Sequence, residues 1–392
     1  MDALLTVAEY EVAARDRLPA GIWDYISGGS GQERTLAANR EAFGRLALRP
    51  RVLVDVSRPD LSTTLLGAPL RVPIGVAPVA YHQLAHPDGE VATARAAPFL
   101  VVSVFASRTL EEIAAAADGP LWLQLYWFRR REVVTRLVRR AEAAGYRALV
   151  LTLDTPRVGR RLRDVRRGFA IPAGIVAANV ETAVMARTHV AVDGESALAR
   201  HSREQFDPSL GPADLAWLCG QTELPVLVKG VLTAEDAELA LAHGAAGVVV
   251  SNHGGRQLDG AVASVDALAE VAAAVGGRGR SCWTAASVPA RTCCARWRSA
   301  RARCWLAGPR CGAWRWTGSR GRARCSTSSR PSWRRRWCSP AAPDSPMWTC
   351  VYWPLSTSRG SSCSGSRCAP RCCCPCTGST GCSCCSPSGS GT

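Results

Sequence analysis

The chain has 392 residues, a formal net charge of +16 and 18 cysteines, and nearly all of that charge and sulfur lies in its last quarter. Residues 282–392 hold 17 of the cysteines, 17 arginines, no lysine, glutamate or histidine, and one carboxylate, Asp344, so they carry the whole +16 and residues 1–281 sum to zero. The basic balance therefore excludes a nucleic-acid footprint on the first part.

The tail lacks the features of a built site. Arg371-Cys372-Cys373-Cys374-Pro375-Cys376 and Cys382-Ser383-Cys384-Cys385-Ser386 follow neither the helical nor the strand apolar period, so they have no pattern with which to bury a core. A structural zinc site wants paired thiolates at repeated spacing, usually with histidine, and here the spacing is irregular. A disulfide framework wants an oxidising compartment. Met1-Asp2-Ala3-Leu4-Leu5 has neither a basic n-region nor a long apolar core, so no signal peptide is expected, and the expectation is a cytoplasmic protein without metal or membrane partners.

A shifted reading frame explains the tail. Arg280-Ser281-Cys282-Trp283-Thr284-Ala285-Ala286-Ser287, written in GC-rich codons and read one base earlier, can become Pro-Val-Leu-Leu-Asp-Gly-Gly-Val. In the same register Cys304-Trp305-Leu306-Ala307-Gly308-Pro309 can become Val-Leu-Val-Gly-Arg-Pro. The predicted organisation is a folded part over 1–279, an out-of-frame remnant over 280–350 and a Cys/Ser/Pro-rich tail over 351–392. The alternative is a non-enzymatic or pseudogene-like product whose basic tail binds metal or nucleic acid.

In chain order, six apolar, β-branched runs predict strands: Val72 to Pro78, Phe99 to Phe105, Leu121 to Trp127, Ala148 to Asp154, Pro225 to Lys229 and Gly247 to His253. Amphipathic stretches such as Arg131 to Ala144 and Ala234 to His243 lie between them, the second closed by Gly244. Alternating strand and helix argues for parallel βα units, and six of them suit an incomplete (β/α)8 TIM barrel with an aberrant C-terminal tail. Only Pro98 separates the helix Asp88 to Ala97 from the next strand, which predicts a short deletion there. Thr155 to Leu224 is too long for one helix and predicts an excursion over the barrel mouth, a candidate lid.

Each predicted strand is apolar until its C-terminal end, where a reactive or hydrogen-bonding side chain appears. These are Pro78 and Ala80, Ser103, Gln124 with Tyr126, Thr152 with Asp154, Lys229, and Ser251 with His253. Barrel active sites open on that face. Polar strand ends alone would explain one or two of these positions, less readily six in order.

Five motifs in order point further. They are Ala77-Pro78-Val79-Ala80, Leu123-Gln124-Leu125-Tyr126, Asp154-Thr155-Pro156-Arg157-Val158-Gly159-Arg160-Arg161, Val228-Lys229-Gly230 and Ser251-Asn252-His253-Gly254-Gly255-Arg256-Gln257-Leu258-Asp259. Together they resemble the FMN-dependent 2-hydroxy-acid oxidases and dehydrogenases, over about the first helix to Gly277. Within that family Gly159-Arg160-Arg161-Leu162-Arg163-Asp164 is most similar to the branch that oxidises 4-hydroxymandelate.

The resemblance implies FMN as cofactor, a small 2-hydroxy acid as substrate, O2 as acceptor and a homo-oligomer, a tetramer in the family. It also assigns roles that the chemistry supports. Arg161 and Arg256 would hold the carboxylate through planar forks, helped by Tyr25 and Tyr126. His253 is the candidate base because imidazole titrates near working pH, with Asp154 to orient it. A lone histidine is more often structural, but its place at a strand end before Gly-Gly-Arg favours catalysis.

Lys229, the only lysine in the chain, would face the flavin edge where negative charge develops on reduction. Main-chain groups at Pro78, Val79 and Ala80, with Ser103, Gln124, Thr152 and Ser251, would hold the ring. Ala80 leans towards oxidase behaviour, and Phe105 stands where glycolate oxidases have tryptophan, which alters the pocket.

The resemblance also says what the junction removes. The family ends its seventh strand in Asp-Gly-Gly and its eighth in Gly-Arg, for the ribityl chain and phosphate, where this chain has Thr284-Ala285-Ala286 and Ala307-Gly308-Pro309. Six strands would leave the first and sixth with open edges, so poor solubility and little bound flavin are expected. Sequencing the coding DNA is expected to find a single-base deletion, or an equivalent shift, between about Val275 and Arg280, by the abrupt loss of apolar period. A clean read with no flavin-site text in the neighbouring frame would overturn this.

Overall fold

The computed structural model describes residues 4–47, 50, 52–181, 185–190 and 194–276, together with the backbone of 280–286 and 303–307. All lie in one compact unit, Met1–Pro354. A second unit, Leu355–Thr392, and with it the low-complexity tail and its metal- or nucleic-acid-binding alternative, lies outside the described residues.

Six parallel strands form at the predicted runs: β3 (Ile74–Val76), β4 (Leu100–Ser103), β5 (Leu121–Leu125), β6 (Leu149–Thr152), β7 (Val226–Val231, two residues past the predicted end) and β8 (Gly247–Val250). They follow a small antiparallel hairpin, β1 (Thr63–Leu65) with β2 (Ala68–Leu70). The predicted helices form at Arg131–Ala143 and Ala234–Ala242, and Gly244, at φ +94°, ends the second. Among the described residues, no helix is long and apolar enough to cross a membrane.

The open edges expected from six strands are not there. β9 (Arg280–Ala286) pairs with β8, β10 (Arg303–Ala307) pairs with β9 and with β3, and the eight parallel strands close. A ladder is made of main-chain groups, and the Cys, Trp, Thr and Ala of these segments are compatible with strand backbone. The barrel is still incomplete in its outer layer, because no helix follows β9 or β10 among the described residues. The deletion expected at Pro98 is also unnecessary. The helix there ends at Ala96 and β4 starts at Leu100, so the connection has an ordinary length.

Side chains alternate along each strand, and this alternation builds both the core and the site. Val101, Trp122, Val150, Leu227 and Val249 form an inner apolar cluster, with Phe99 edge-on to Trp122 at 4.7 Å. Two residues further along each strand the same face presents Ser103, Gln124, Thr152, Lys229 and Ser251, all buried. The intervening residues, such as Leu123, Leu149, Val228 and Val248, pack in the larger cluster that contains the helices. The inner face is therefore apolar at its floor and polar at its mouth.

At Gly75 a Cβ would lie 2.2 Å from Phe99 Cδ1, inside this inner cluster. Gly75→Ala is therefore expected to cost about 1–3 kcal/mol through overpacking. Urea unfolding of the full-length protein checks it, and an unchanged midpoint would contradict the packing described.

Candidate active site

The mouth of the barrel is a cavity walled by every residue predicted for the site except Asp154. Asp154 stands behind the wall. Its Oδ1 lies 2.7 Å from His253 Nδ1 and its Oδ2 lies 3.6 Å from Lys229 Nζ, so the ends of β6, β7 and β8 converge on one carboxylate. Burial pushes the Asp154 carboxyl up, but His253 and Lys229, with hydrogen bonds from His253 and Thr155, outweigh it and hold it at about 2.

His253 takes a left-handed backbone at φ +57°, and its N–H donates to Ser251 Oγ at 3.0 Å. Such a conformation costs free energy in a non-glycine residue and persists where its surroundings hold it. Burial lowers the imidazole to about 4, against the pull of Asp154, so the ring is neutral near pH 7. With Nδ1 directed at Asp154, Nε2 is the free position for taking a proton. Burial likewise lowers the Lys229 ammonium, and Asp154 opposes that shift.

The loop after β8 is anchored at several points. Asn252 and Asn39 exchange side-chain amide hydrogen bonds at 2.8 and 2.9 Å, and Asp259 accepts from the N–H groups of Gln32 and Thr35. Gln257 joins it to the loop after β6, donating to the Asp154 carbonyl at 3.0 Å and accepting from Gly159 N–H at 2.7 Å. Gly255, at φ +76°, approaches so closely that a Cβ would lie 2.5 Å from the Leu36 nitrogen.

These anchors place two guanidinium groups at one end of the cavity. Arg256 donates to the Gly28 carbonyl at 2.6 Å and lies 5.3 Å from the Tyr25 ring centre; Arg161 lies 5.8 Å from the same ring. Burial lowers the Arg256 guanidinium to about 10, and neighbouring Arg161 adds to the shift. The Nε of Arg161 is buried without a hydrogen-bond partner among the described residues. Two cations side by side, one of them incompletely bonded, form a receptor for an anion. Tyr126 stacks on Phe206 at 4.7 Å, and burial raises its hydroxyl, so it stays protonated and can donate.

On the opposite wall Gln124 accepts from Ser103 Oγ at 3.2 Å and donates to Thr152 Oγ1 at 3.0 Å. With Lys229 and the main chain at Pro78–Ala80 this gives a buried row of polar groups suited to the edge of a flat heteroaromatic ring. The described residues thus fit the ring end of FMN. At the ends of β9 and β10, Thr284, Ala285, Ala286 and Ala307 provide no cation for its phosphate.

A family model described as FMN-dependent dehydrogenase matches residues 14–281. The chain belongs to that family. It is 46% identical to glycolate oxidase of Spinacia oleracea over 279 residues, 70% of this chain and 75% of the relative. Against glycolate oxidase 1 of Zea mays it is 46% identical over 282 residues, 71% and 76% of the two chains. Among solved structures, mandelate oxidase with (S)-4-hydroxymandelic acid superposes at a TM-score of 0.76 and 42% identity, over 79% of this chain and 87% of that one. The chain is therefore of the FMN-dependent 2-hydroxy-acid oxidase type, with FMN as its cofactor.

The excursion brings residues that its sequence did not announce. Phe206 pairs with Phe128 in an isolated antiparallel bridge, Asp207 meets Arg131 at 2.7 Å, and the helix Ala197–Gln205 carries His201 and Ser202 to the cavity wall. Asp164, 3.6 Å from Arg161, was also missed as a partner; burial raises its carboxyl against the two arginines. A hydrophilic helix in a long loop gives no local sign that it packs over a mouth. The one usable signal was the length of the excursion itself.

The depressed imidazoles make stability depend on pH in a definite direction. His253 and His201 sit at about 4 in the folded protein against an ordinary 6.5, and burial lowers His82 as well. The unfolded chain therefore binds more protons as pH falls from about 6.5 to 4, and stability present above 6.5 is lost across that window. His253→Gln is expected to reduce the slope of stability against pH there, measured by chemical denaturation at several pH values. An identical slope would show that His253 is not buried neutral.

Proposed function

We propose that the site oxidises an L-2-hydroxy acid with an aromatic, mandelate-like side chain to the 2-oxo acid, with O2 as the final acceptor reduced to hydrogen peroxide. The observation that carries this reading is the convergence of Arg161 and Arg256 on the cavity that a neutral His253, backed by Asp154, also faces.

The arginines bind the carboxylate and fix Cα relative to His253. His253 Nε2 takes the hydroxyl proton, and the cation so formed is stabilised by the Asp154 carboxylate already bonded to Nδ1. FMN, when bound, accepts the hydrogen and electron pair from Cα. Lys229 supplies a fixed positive charge beside the row of Ser103, Gln124 and Thr152, where negative charge would otherwise accumulate without compensation. Tyr126, on the cavity wall with its hydroxyl protonated, donates to the substrate. Phe105 and Phe206, 6.1 Å apart and nearly parallel, line the space left for the substrate's side chain and support an aromatic group there.

Because Thr284, Ala285, Ala286 and Ala307 supply no side-chain cation for a phosphate, the chain as written is proposed to retain FMN poorly, while the frame-restored chain retains one per protein. Flavin absorbance after gel filtration of both measures this. In the frame-restored protein, His253→Ala is expected to keep its flavin and reduce it about 10²- to 10⁴-fold more slowly with mandelate in stopped-flow. Arg256→Lys is expected to weaken substrate binding instead, since a point charge cannot replace the fork. Undiminished reduction in His253→Ala would remove histidine from the base role.

A further inference from the structure

The cavity wall at Pro78, Val79 and Ala80 is read as main chain, and main chain recognises a ligand only when something behind it fixes which way each peptide points. His82 stands behind this wall. It is 3% exposed and does not line the cavity; its imidazole hydrogen-bonds the Val79 carbonyl, and its Nδ1 lies 2.8 Å from Thr93 Oγ1. Burial lowers the imidazole, so the ring is neutral near pH 7. A carbonyl can only accept, so the ring donates its N–H to Val79.

That bond acts across the peptide plane. The described residues contain no cis peptide, and in a trans peptide the C=O and the following N–H point in opposite directions. A Val79 carbonyl turned back to His82 therefore turns the Ala80 N–H towards the cavity, where it has no main-chain acceptor among the described residues.

A buried network holds His82 in place. Glu90, 1% exposed on the helix Glu90–Ala96, accepts from the His82 N–H at 2.9 Å through Oε1. Its Oε2 accepts from Ser107 N–H and Oγ at 3.0 and 2.7 Å. Ser107 Oγ in turn accepts from Gln83 N–H, and the Tyr81 N–H donates to the Phe105 carbonyl, both at 3.1 Å. Tyr81 takes φ +54°, a conformation that a bulky residue keeps only where its surroundings impose it. Three consecutive N–H groups, of Tyr81, His82 and Gln83, are thus bound to Glu90 or to the loop after β4, and that of Ala80 is left for a ligand.

We infer that His82 is a positioning residue: by holding the Val79 carbonyl it aims the Ala80 N–H at an acceptor atom on the ring of FMN, with Glu90 and Thr93 fixing the histidine. This rests on the ring end of FMN lying at this wall, beside Ser103, Gln124, Thr152 and Lys229. His82 acts through the peptide and touches neither cofactor nor substrate.

The test titrates the full-length protein with FMN carrying carbon and nitrogen isotope labels in its ring, reading affinity by flavin fluorescence and the bound ring by NMR. In His82→Leu the dissociation constant is expected to rise about 3- to 10-fold, the scale of one hydrogen bond. One acceptor of the bound ring, nitrogen or carbonyl, is expected to move towards its resonance position in an aprotic solvent. His82→Gln, whose side-chain amide can still donate to Val79, is expected to stay within about twofold of the parent and to keep the parent's resonance. It also guards against a folding defect in the first variant. A histidine with a merely structural role would lower the unfolding midpoint in His82→Leu and leave the bound ring's resonances in place. That result, or a glutamine variant that behaves like the leucine one, overturns the assignment. Lys229→Met separates the two readings. If it moves the ring resonances while His82→Leu does not, only the role of His82 falls. If neither substitution moves them, or the parent binds no FMN, the placement of the ring at this wall falls as well.

Discussion

The buried carboxylate of Asp154 is the group on which the site's organisation depends. It sits at the end of β6, and the register of β6 with β7 and of β7 with β8 brings Lys229 and His253 to within 3.6 and 2.7 Å of it. An ionised carboxylate in such a place is costly unless it is paired and hydrogen-bonded. Gly230 is the backbone device that permits the approach. It takes φ +111°, and a Cβ there would lie 2.6 Å from Asp154 Cβ, so any other residue would push β7 away from β6. The carboxylate holds His253 Nδ1 and draws the lysine inward, so one group orients both the histidine and the cation.

This arrangement was legible in the sequence because the strand period carries it. Once the runs that carry Ser103, Gln124, Thr152, Lys229 and Ser251 are read as parallel strands, a period of two places these five side chains on one face and level with one another. The resemblance gave the roles, and the uniqueness of Lys229 in an arginine-rich chain strengthened one of them. The cavity's outer wall was not legible. His201, Ser202 and Phe206 reach it through an excursion whose position is set by long-range contacts, such as Arg131 with Asp207 and Arg129 N–H with the Gln205 carbonyl. No local pattern encodes such contacts.

The closure of the barrel separates two kinds of sequence information. Strand pairing between β8, β9, β10 and β3 uses main-chain donors and acceptors, which any non-proline residue supplies, so the aberrant segments 280–286 and 303–307 still complete the ladder. Phosphate recognition needs particular side chains and close backbone approach at the strand ends, and Thr284-Ala285-Ala286 and Ala307 lack both the glycines and the arginine. Strand pairing thus tolerates segments whose side chains do not supply that chemistry. The expectation of open edges erred by treating the fold and the cofactor site as equally dependent on side-chain identity.

Charge balance inside the cavity explains why the substrate must be an anion. Arg161, Arg256 and Lys229 bring three positive charges, while Asp154 and Asp164 bring at most two negative ones and His253 is neutral. Asp154 is committed to Lys229 and His253, which leaves Asp164 as the one carboxylate beside the arginine pair among the described cavity residues. The arginine end is thus left with positive charge in a poorly hydrated place, where a carboxylate gains more than it would at the surface. Burial keeps His253 uncharged, and the nearby cations Lys229 and Arg161 add to that effect. A bound carboxylate relieves that repulsion and makes proton uptake by His253 easier, so in the proposed reaction binding of the substrate would prepare the base.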